Sequence, residues 1–182
     1  SFNSTTPIEI RGISNAISIA SGRNHTCALL SDGTVKCCGS NIYGQLGSTK
    51  VASADTLLKA SLVGAWSATP LEAEGIQNAI SISAGMFRTC ALLKNGTVKC
   101  CGVKLQPITG KYPPFTKIPL KVEGISDAVS IATGSLHNCA ILSDSTVKCW
   151  GNNEFGQLGD GSSVKWSSAP VTVVGSQPKG NK

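Results

Sequence analysis

The chain has 182 residues, 41% of them hydrophobic and 14% charged, a balance that excludes a disordered chain and is sparse in charge for a cytosolic protein. Its net charge of +6 comes from scattered Lys and Arg; no run of them suits a nucleic-acid backbone, so the excess reads as a solvated surface and no nucleic-acid partner is expected. No apolar stretch approaches the roughly 20 residues of a membrane-spanning helix, so no membrane span is expected.

The chain opens at Ser1 without a charged and then apolar leader, as a mature protein or a piece of a longer one would. Glycine occurs 20 times and proline 8 times between strand-like segments, which points to all-β structure. Along the chain one pattern returns. Pro7–Gly12 is followed by Ala16–Ala20, Gly22, His25–Leu30, Ser31-Asp32-Gly33 and Thr34–Gly39. The order recurs from Pro70 and again from Pro119, and a partial repeat starts at Pro170-Val-Thr-Val-Val-Gly175. The prolines lie 63, 49 and 51 residues apart, a period that means a solenoid, propeller or array. Four short β segments per repeat, at 8–11, 16–20, 25–30 and 34–38, are the content of a propeller blade. The expected organisation is one repeat domain over 1–175, with repeats near 7–69, 70–118 and 119–169, a partial fourth at 170–175, and a flexible tail over 176–182.

The central hairpin is readable in register. Ser31-Asp32-Gly33 suits a three-residue loop, a type I turn followed by a left-handed glycine. That loop sets Leu30 against Thr34, Leu29 against Val35 and Cys27 against Cys37, with the apolar residues on one face. A two-residue Asp-Gly turn would instead oppose Leu29 and Lys36. In the third repeat Ser145 replaces the glycine, at a cost of about 1 kcal/mol of turn strain.

Six of the eight cysteines recur at one spacing: Cys27/Cys37, Cys90/Cys100 and Cys139/Cys149. Directly opposed strand neighbours can be bridged, so one staple across each hairpin is expected, each contributing about 2–3 kcal/mol at most. Such bridges persist in oxidising compartments, which suggests a secreted, extracellular or cell-surface protein. His25, Cys27, Cys37 and Cys38 could also be read as zinc ligands. Cys37 and Cys38, however, point to opposite faces of a strand, and no Cys-x-x-Cys occurs, so neither metal nor cofactor is expected. Cys38 and Cys101 are left over, as buried free thiols or as partners in a bridge between chains; Trp150 stands at their position in the third repeat.

The stretch Gly22–Gly47, with His-Thr-Cys-Ala-Leu-Leu-Ser-Asp-Gly-Thr-Val-Lys-Cys-Cys-Gly and the ending Asn41-Ile-Tyr-Gly-Gln-Leu-Gly47, resembles the regulator of chromosome condensation repeat, and so does Gly134–Gly159. The cysteine-bearing form resembles the secreted bacterial branch of that family. The resemblance implies a β-propeller with four-stranded blades, commonly seven. Three repeats cannot close seven blades, and the middle repeat replaces the Gly-Gln-Leu-Gly ending by a Pro-rich stretch after Gly102. Pro7–Gly12 and Pro170–Gly175 are the same strand type, which suggests head-to-tail assembly of the chain with itself through an exposed edge. The alternatives are a fragment of a longer propeller and a monomeric module that captures another protein. The nuclear branch would imply nucleotide exchange on a small GTPase and chromatin contact, which paired cysteines and missing blades disfavour.

No catalytic residues are expected. His25 and His137 share a repeat position with Arg88, which suits structural hydrogen bonding; no acidic pair, phosphate loop or nucleophile elbow stands out. The non-repeating insertions carry the candidate contacts. Residues 48–69 contain Asp55–Val63, a short amphipathic helix or a loop plug, and Trp66; residues 103–118 hold Tyr112 and Phe115; Trp166 completes the set. Asn3, Asn24 and Asn95 head glycosylation sequons.

Overall fold

A computed structural model describes residues 5–51, 65–106 and 113–176. Its strands are β1 (Ala16–Ser21), β2 (His25–Leu30), β3 (Val35–Ser40), β4 (Trp66–Glu72), β5 (Ala79–Ala84), β6 (Arg88–Leu93), β7 (Val98–Val103), β8 (Phe115–Lys121), β9 (Ala128–Thr133), β10 (His137–Leu142), β11 (Val147–Asn152) and β12 (Trp166–Thr172). They form three four-stranded antiparallel sheets with simple meander order, β1 to β4, β5 to β8 and β9 to β12. These are propeller blades 1, 2 and 3.

The hairpin register is the one the apolar alternation favours. Cys27 faces Cys37 and Leu29 faces Val35, with exact equivalents in the other blades. The turn closes on itself: Thr34 N donates to Asp32 Oδ1 at 2.9 Å, and Gly33 takes a φ of 81°. Ser145 adopts the same left-handed conformation at 72°, where a side chain is disfavoured. Disulfides join Cys27–Cys37, Cys90–Cys100 and Cys139–Cys149.

One grouping read from the sequence is corrected. Residues 8–11 do not open the first blade. The fourth strand of each blade comes from the following repeat, so Pro170–Gly175 is not a surplus strand but supplies β12, which pairs with β11 and completes blade 3. The surplus strand type is at the other end, Pro7–Gly12, which joins no sheet. It lies beside blade 1 as the outer strand of one blade lies beside the next. Lys36 Nζ donates to Gly12 C=O at 3.1 Å, as Lys99 does to Gly75 at 2.7 Å and Lys148 to Gly124 at 3.4 Å. Ile10 and Ile13 thereby line a groove on the blade face.

The core lies between the blades. The disulfide-bearing face of blade 1, with Leu29 and Val35, packs with Leu46, Ala73 and Ile76 against Ala79, Ile82, Ala91 and Leu93 of blade 2. The disulfide face of blade 2 packs likewise on Ala128, Ala140, Leu142 and Trp150 of blade 3. Each of these contacts thus sets a forward disulfide face against a backward face of alanine and larger aliphatic side chains, joined in blade 3 by Trp150. No helix among the described residues is long and apolar enough to cross a membrane.

Candidate functional site

Two blade junctions and two open blade faces hold the chemistry. At the first junction His25 is buried, and its Nε2 lies 2.8 Å from Thr89 Oγ1, which itself donates to Gln45 C=O at 2.8 Å. Thr89 has one proton, so His25 Nε2 is the donor to it. Nδ1 is left without a partner, and protonating it would bury an unpaired N–H. Burial accordingly lowers the His25 pKa to about 4. The Cys101 thiol donates to the same Gln45 carbonyl at 3.6 Å, and burial pushes it up to about 12.

Gln45 is presented by the Asn41–Gly47 ending. Leu46 N donates to Asn41 Oδ1 at 3.0 Å and Tyr43 N to Gln45 Oε1 at 2.9 Å, which folds the ending into a compact plug. Tyr43 then meets Phe87 and Phe115 edge-on, at centroid distances of 5.0 and 6.1 Å.

The second junction differs. Arg88 replaces the histidine, and with the Asn138 amide oriented to satisfy its neighbours, Arg88 Nε and Trp150 Nε1 both donate to Asn138 Oδ1 at 3.2 Å. Arg88 Nη1 donates to Val103 C=O. Burial lowers the guanidinium to about 10, which leaves it charged at neutral pH. Without a Gly-Gln-Leu-Gly plug, a cleft of about 340 Å³ opens here, lined by Arg88, Lys104, Leu105, Lys121 and Trp150 among others; Lys121 is paired with Glu123 at 3.7 Å.

The open faces are the back of blade 1 and the front of blade 3. Ile19 is 72% exposed where its equivalent Ile82 is 8% exposed, and Ile141 is 43% exposed where Leu29 and Leu92 are fully buried. Phe155, the equivalent of Tyr43, is 91% exposed. On the blade 1 face, a groove of about 200 Å³ runs between Ile10, Ile13, Ile19, Thr26 and Cys38. A further apolar stripe follows from a β-bulge in the first strand of each blade, which turns Ile17, Ile80 and Val129 outward.

The residues singled out from the sequence do not converge on one pocket. Trp66, Phe115 and Trp166 are repeat equivalents, each four residues before the repeat proline and each the first residue of an outer strand. Trp66 is exposed, Phe115 rests on Tyr43, and Trp166 packs against the second core. Their common spacing to Pro70, Pro119 and Pro170 was available in the sequence. Asn24 and Asn95 are exposed, and Asn95 Oδ1 accepts from Thr97 N at 3.1 Å. Asn3, Tyr112, the Asp55–Val63 segment and residues 177–182 lie outside the described residues. Six cysteines are spent in disulfides, which removes Cys27 and Cys37 from any zinc-binding set. Cys38 and Cys101 are free; burial raises both thiols, so neither is an activated nucleophile. The signal that sequence reasoning missed is co-substitution: His25, Thr89 and Cys101 have the counterparts Arg88, Asn138 and Trp150 at the next junction.

The regulator of chromosome condensation (RCC1) repeat matches residues 16–45, 79–103 and 128–157. A search of curated proteins finds no significant match. Among solved structures, the chain is similar to yeast RCC1 (Prp20) bound to Kap60, at 24% identity and TM-score 0.71, covering 89% of this chain and 37% of that one. Prp20p from Saccharomyces cerevisiae, described with its binding to Gsp1p and histones, matches at 24% identity and TM-score 0.71, over 89% and 39%. Human WBSCR16 matches at 18% identity and TM-score 0.68, over 87% and 38%. The chain therefore spans less than two fifths of each of these proteins, and the likeness establishes the fold. With three four-stranded propeller blades and three matched segments, the chain carries three regulator of chromosome condensation repeats.

Proposed function

We propose that the chain is a secreted, non-enzymatic structural and adhesive protein whose propeller blades assemble head to tail through its duplicated terminal strand. The observation that carries this reading is the position of Pro7–Gly12. It stands beside blade 1 as an outer strand of a preceding blade would, held by the Lys36–Gly12 hydrogen bond, and joins no sheet. In the assembly that edge pairs with β11 of a second copy, in exchange for the equivalent strand β12. Two copies of three blades make a six-bladed ring; a rotation that fails to close makes a filament. Three disulfides within one chain suit an oxidising, extracellular setting.

A second reading, an extracellular protein-binding module of inhibitor or receptor type, is favoured by the exposed Ile17, Ile80 and Val129 stripe. Proteins of the same fold bind other proteins, as Prp20 binds Kap60. A fragment of a longer propeller would display the same stripe. Light scattering and electron microscopy of the purified chain separate these. The assembly reading expects masses in multiples of 18.7 kDa and rings or threads; a stable particle of 18.7 kDa overturns it.

A further inference from the structure

We infer that the front of blade 3 docks on the back of blade 1 of a second copy through the contacts that join blade 1 to blade 2. The inference rests on the head-to-tail reading and names its interface. The chain contains two junction chemistries, and the open faces carry the two halves of the same one. The first junction needs a histidine and an Asn-to-Gly plug on the forward face, and a threonine and a cysteine on the backward face. The second uses arginine, asparagine and tryptophan.

Blade 3 offers the forward half of the first type. The His137 ring sits over Gly134 as the His25 ring sits over Gly22, so close that a Cβ on Gly134 would be 2.3 Å from His137 Cε1, against 2.1 Å for Gly22 and His25. The plug is already formed: Leu158 N donates to Asn153 Oδ1 at 3.0 Å and Phe155 N to Gln157 Oε1 at 2.9 Å, the distances of its buried counterpart. Blade 1 offers the backward half, with Thr26 and Cys38 at the positions of Thr89 and Cys101. Both faces keep apolar side chains in water, Ile141 on one and Ile19 on the other; at the junctions the equivalents Leu29, Leu92 and Ile82 are buried and Ile131 is partly buried. In the assembly His137 Nε2 donates to Thr26, Thr26 donates to the Gln157 carbonyl, and Cys38 settles beside Gly159. A second copy is the occupant because its blade 3 carries the half that matches blade 1 of the first.

One residue opposes a perfect fit. A Cβ on Gly33 would stand 2.8 Å from Asn78 Cα, and one on Gly96 2.7 Å from Asp127 Cα. Blade 3 carries Ser145 at this position, so the neighbour's Asn15 backbone is held off and the junction between copies is looser at its turn end. Ser145→Gly is expected to tighten self-association.

The native thiol of Cys38 supplies the test. At the first junction a Cβ on Gly47 lies 3.1 Å from Cys101 Sγ, within disulfide reach. Gly159→Cys is therefore expected to give a covalent ladder on non-reducing electrophoresis after mild oxidation, abolished by adding Cys38→Ser. Wild-type chain that associates while Gly159→Cys gives no Cys38-dependent ladder overturns the interface and leaves the head-to-tail reading standing. Chain that remains monomeric, with no ladder, overturns both, in favour of a different protein or a further blade on these faces. Because a cysteine at Gly159, whose φ is 62°, can disturb the plug, Ile19→Arg is the second variant. It leaves the core intact and is expected to weaken self-association about tenfold or more in sedimentation; unchanged association overturns the docking face. Peptide mapping of the three native disulfides verifies the fold of each variant.

Discussion

The two junctions join similar backbones with opposite chemistry. Between blades 1 and 2, neutral groups share one chain of hydrogen bonds from His25 through Thr89 to Gln45, and a polypeptide plug fills the space. Between blades 2 and 3, a charged guanidinium and an indole converge on Asn138, and the plug is gone. The bulk of Arg88 and Trp150 takes over part of the plug's volume, and the remainder is the cleft lined by Lys104 and Lys121. The difference teaches that a blade face is matched to its neighbour as a set. Changing the histidine alone would leave a threonine and a cysteine facing a charge they cannot satisfy.

Truncation of the apolar faces breaks the comparison most strongly. Leu29→Ala, in the sealed first junction, is expected to cost about 3 kcal/mol, whereas the equivalent Ile141→Ala on the open face costs under about 1 kcal/mol in the monomer. Urea unfolding at low concentration measures both, and equal losses would mean that the two faces are equally covered. Acid separates the two junctions through His25. The folded chain holds the His25 pKa near 4, below the ordinary 6.5, so between these values the unfolded chain binds the extra proton. The His25 contribution to stability is complete above pH 6.5 and is expected to fall as the pH drops towards 4, by up to about 3 kcal/mol. His25→Gln should flatten that part of the curve; a variant with the wild-type slope would assign the effect elsewhere.

Asn138→Leu removes the shared acceptor of Arg88 and Trp150, and a loss of about 2 kcal/mol is expected, against about 1 kcal/mol for Thr89→Val at the neutral junction. Thermal unfolding ranks the pair, and the reverse order would contradict the charged character of the second junction. The last effect is a gain. Ser145→Gly relieves the left-handed turn residue of blade 3 and should add about 1 kcal/mol to monomer stability.

The local structure was legible and the joins between repeats were not. Alternation of Cys27, Leu29, Val35 and Cys37 about Ser31-Asp32-Gly33 fixes the hairpin register, because a slip by one residue would send the apolar set to the other face. The partner of the fourth strand is different. Segments 8–11 and 71–74 follow the same repeat proline with the same alternation, and what separates them is long-range: β4, which ends in Leu71 and Glu72, pairs with β3, while 8–11 rests on a blade face. No local propensity encodes that choice. The junction chemistry stood half in view. His25 and Arg88 were visible as repeat equivalents, but their partners, Thr89 and Asn138, lie one repeat further on. Reading substitutions across neighbouring repeats, rather than within one, would have paired them. The aromatic candidates failed as a common site for a related reason: Trp66, Phe115 and Trp166 each begin an outer strand, one per blade.

Sedimentation equilibrium of the intact chain over a wide range of concentration tests the central claim most directly, that the free faces of blades 1 and 3 are the two halves of one junction. The expected result is a weight-average mass that rises from 18.7 kDa through its multiples, and does so less in Ile19→Arg. A mass fixed at 18.7 kDa throughout, in both chains, would contradict it.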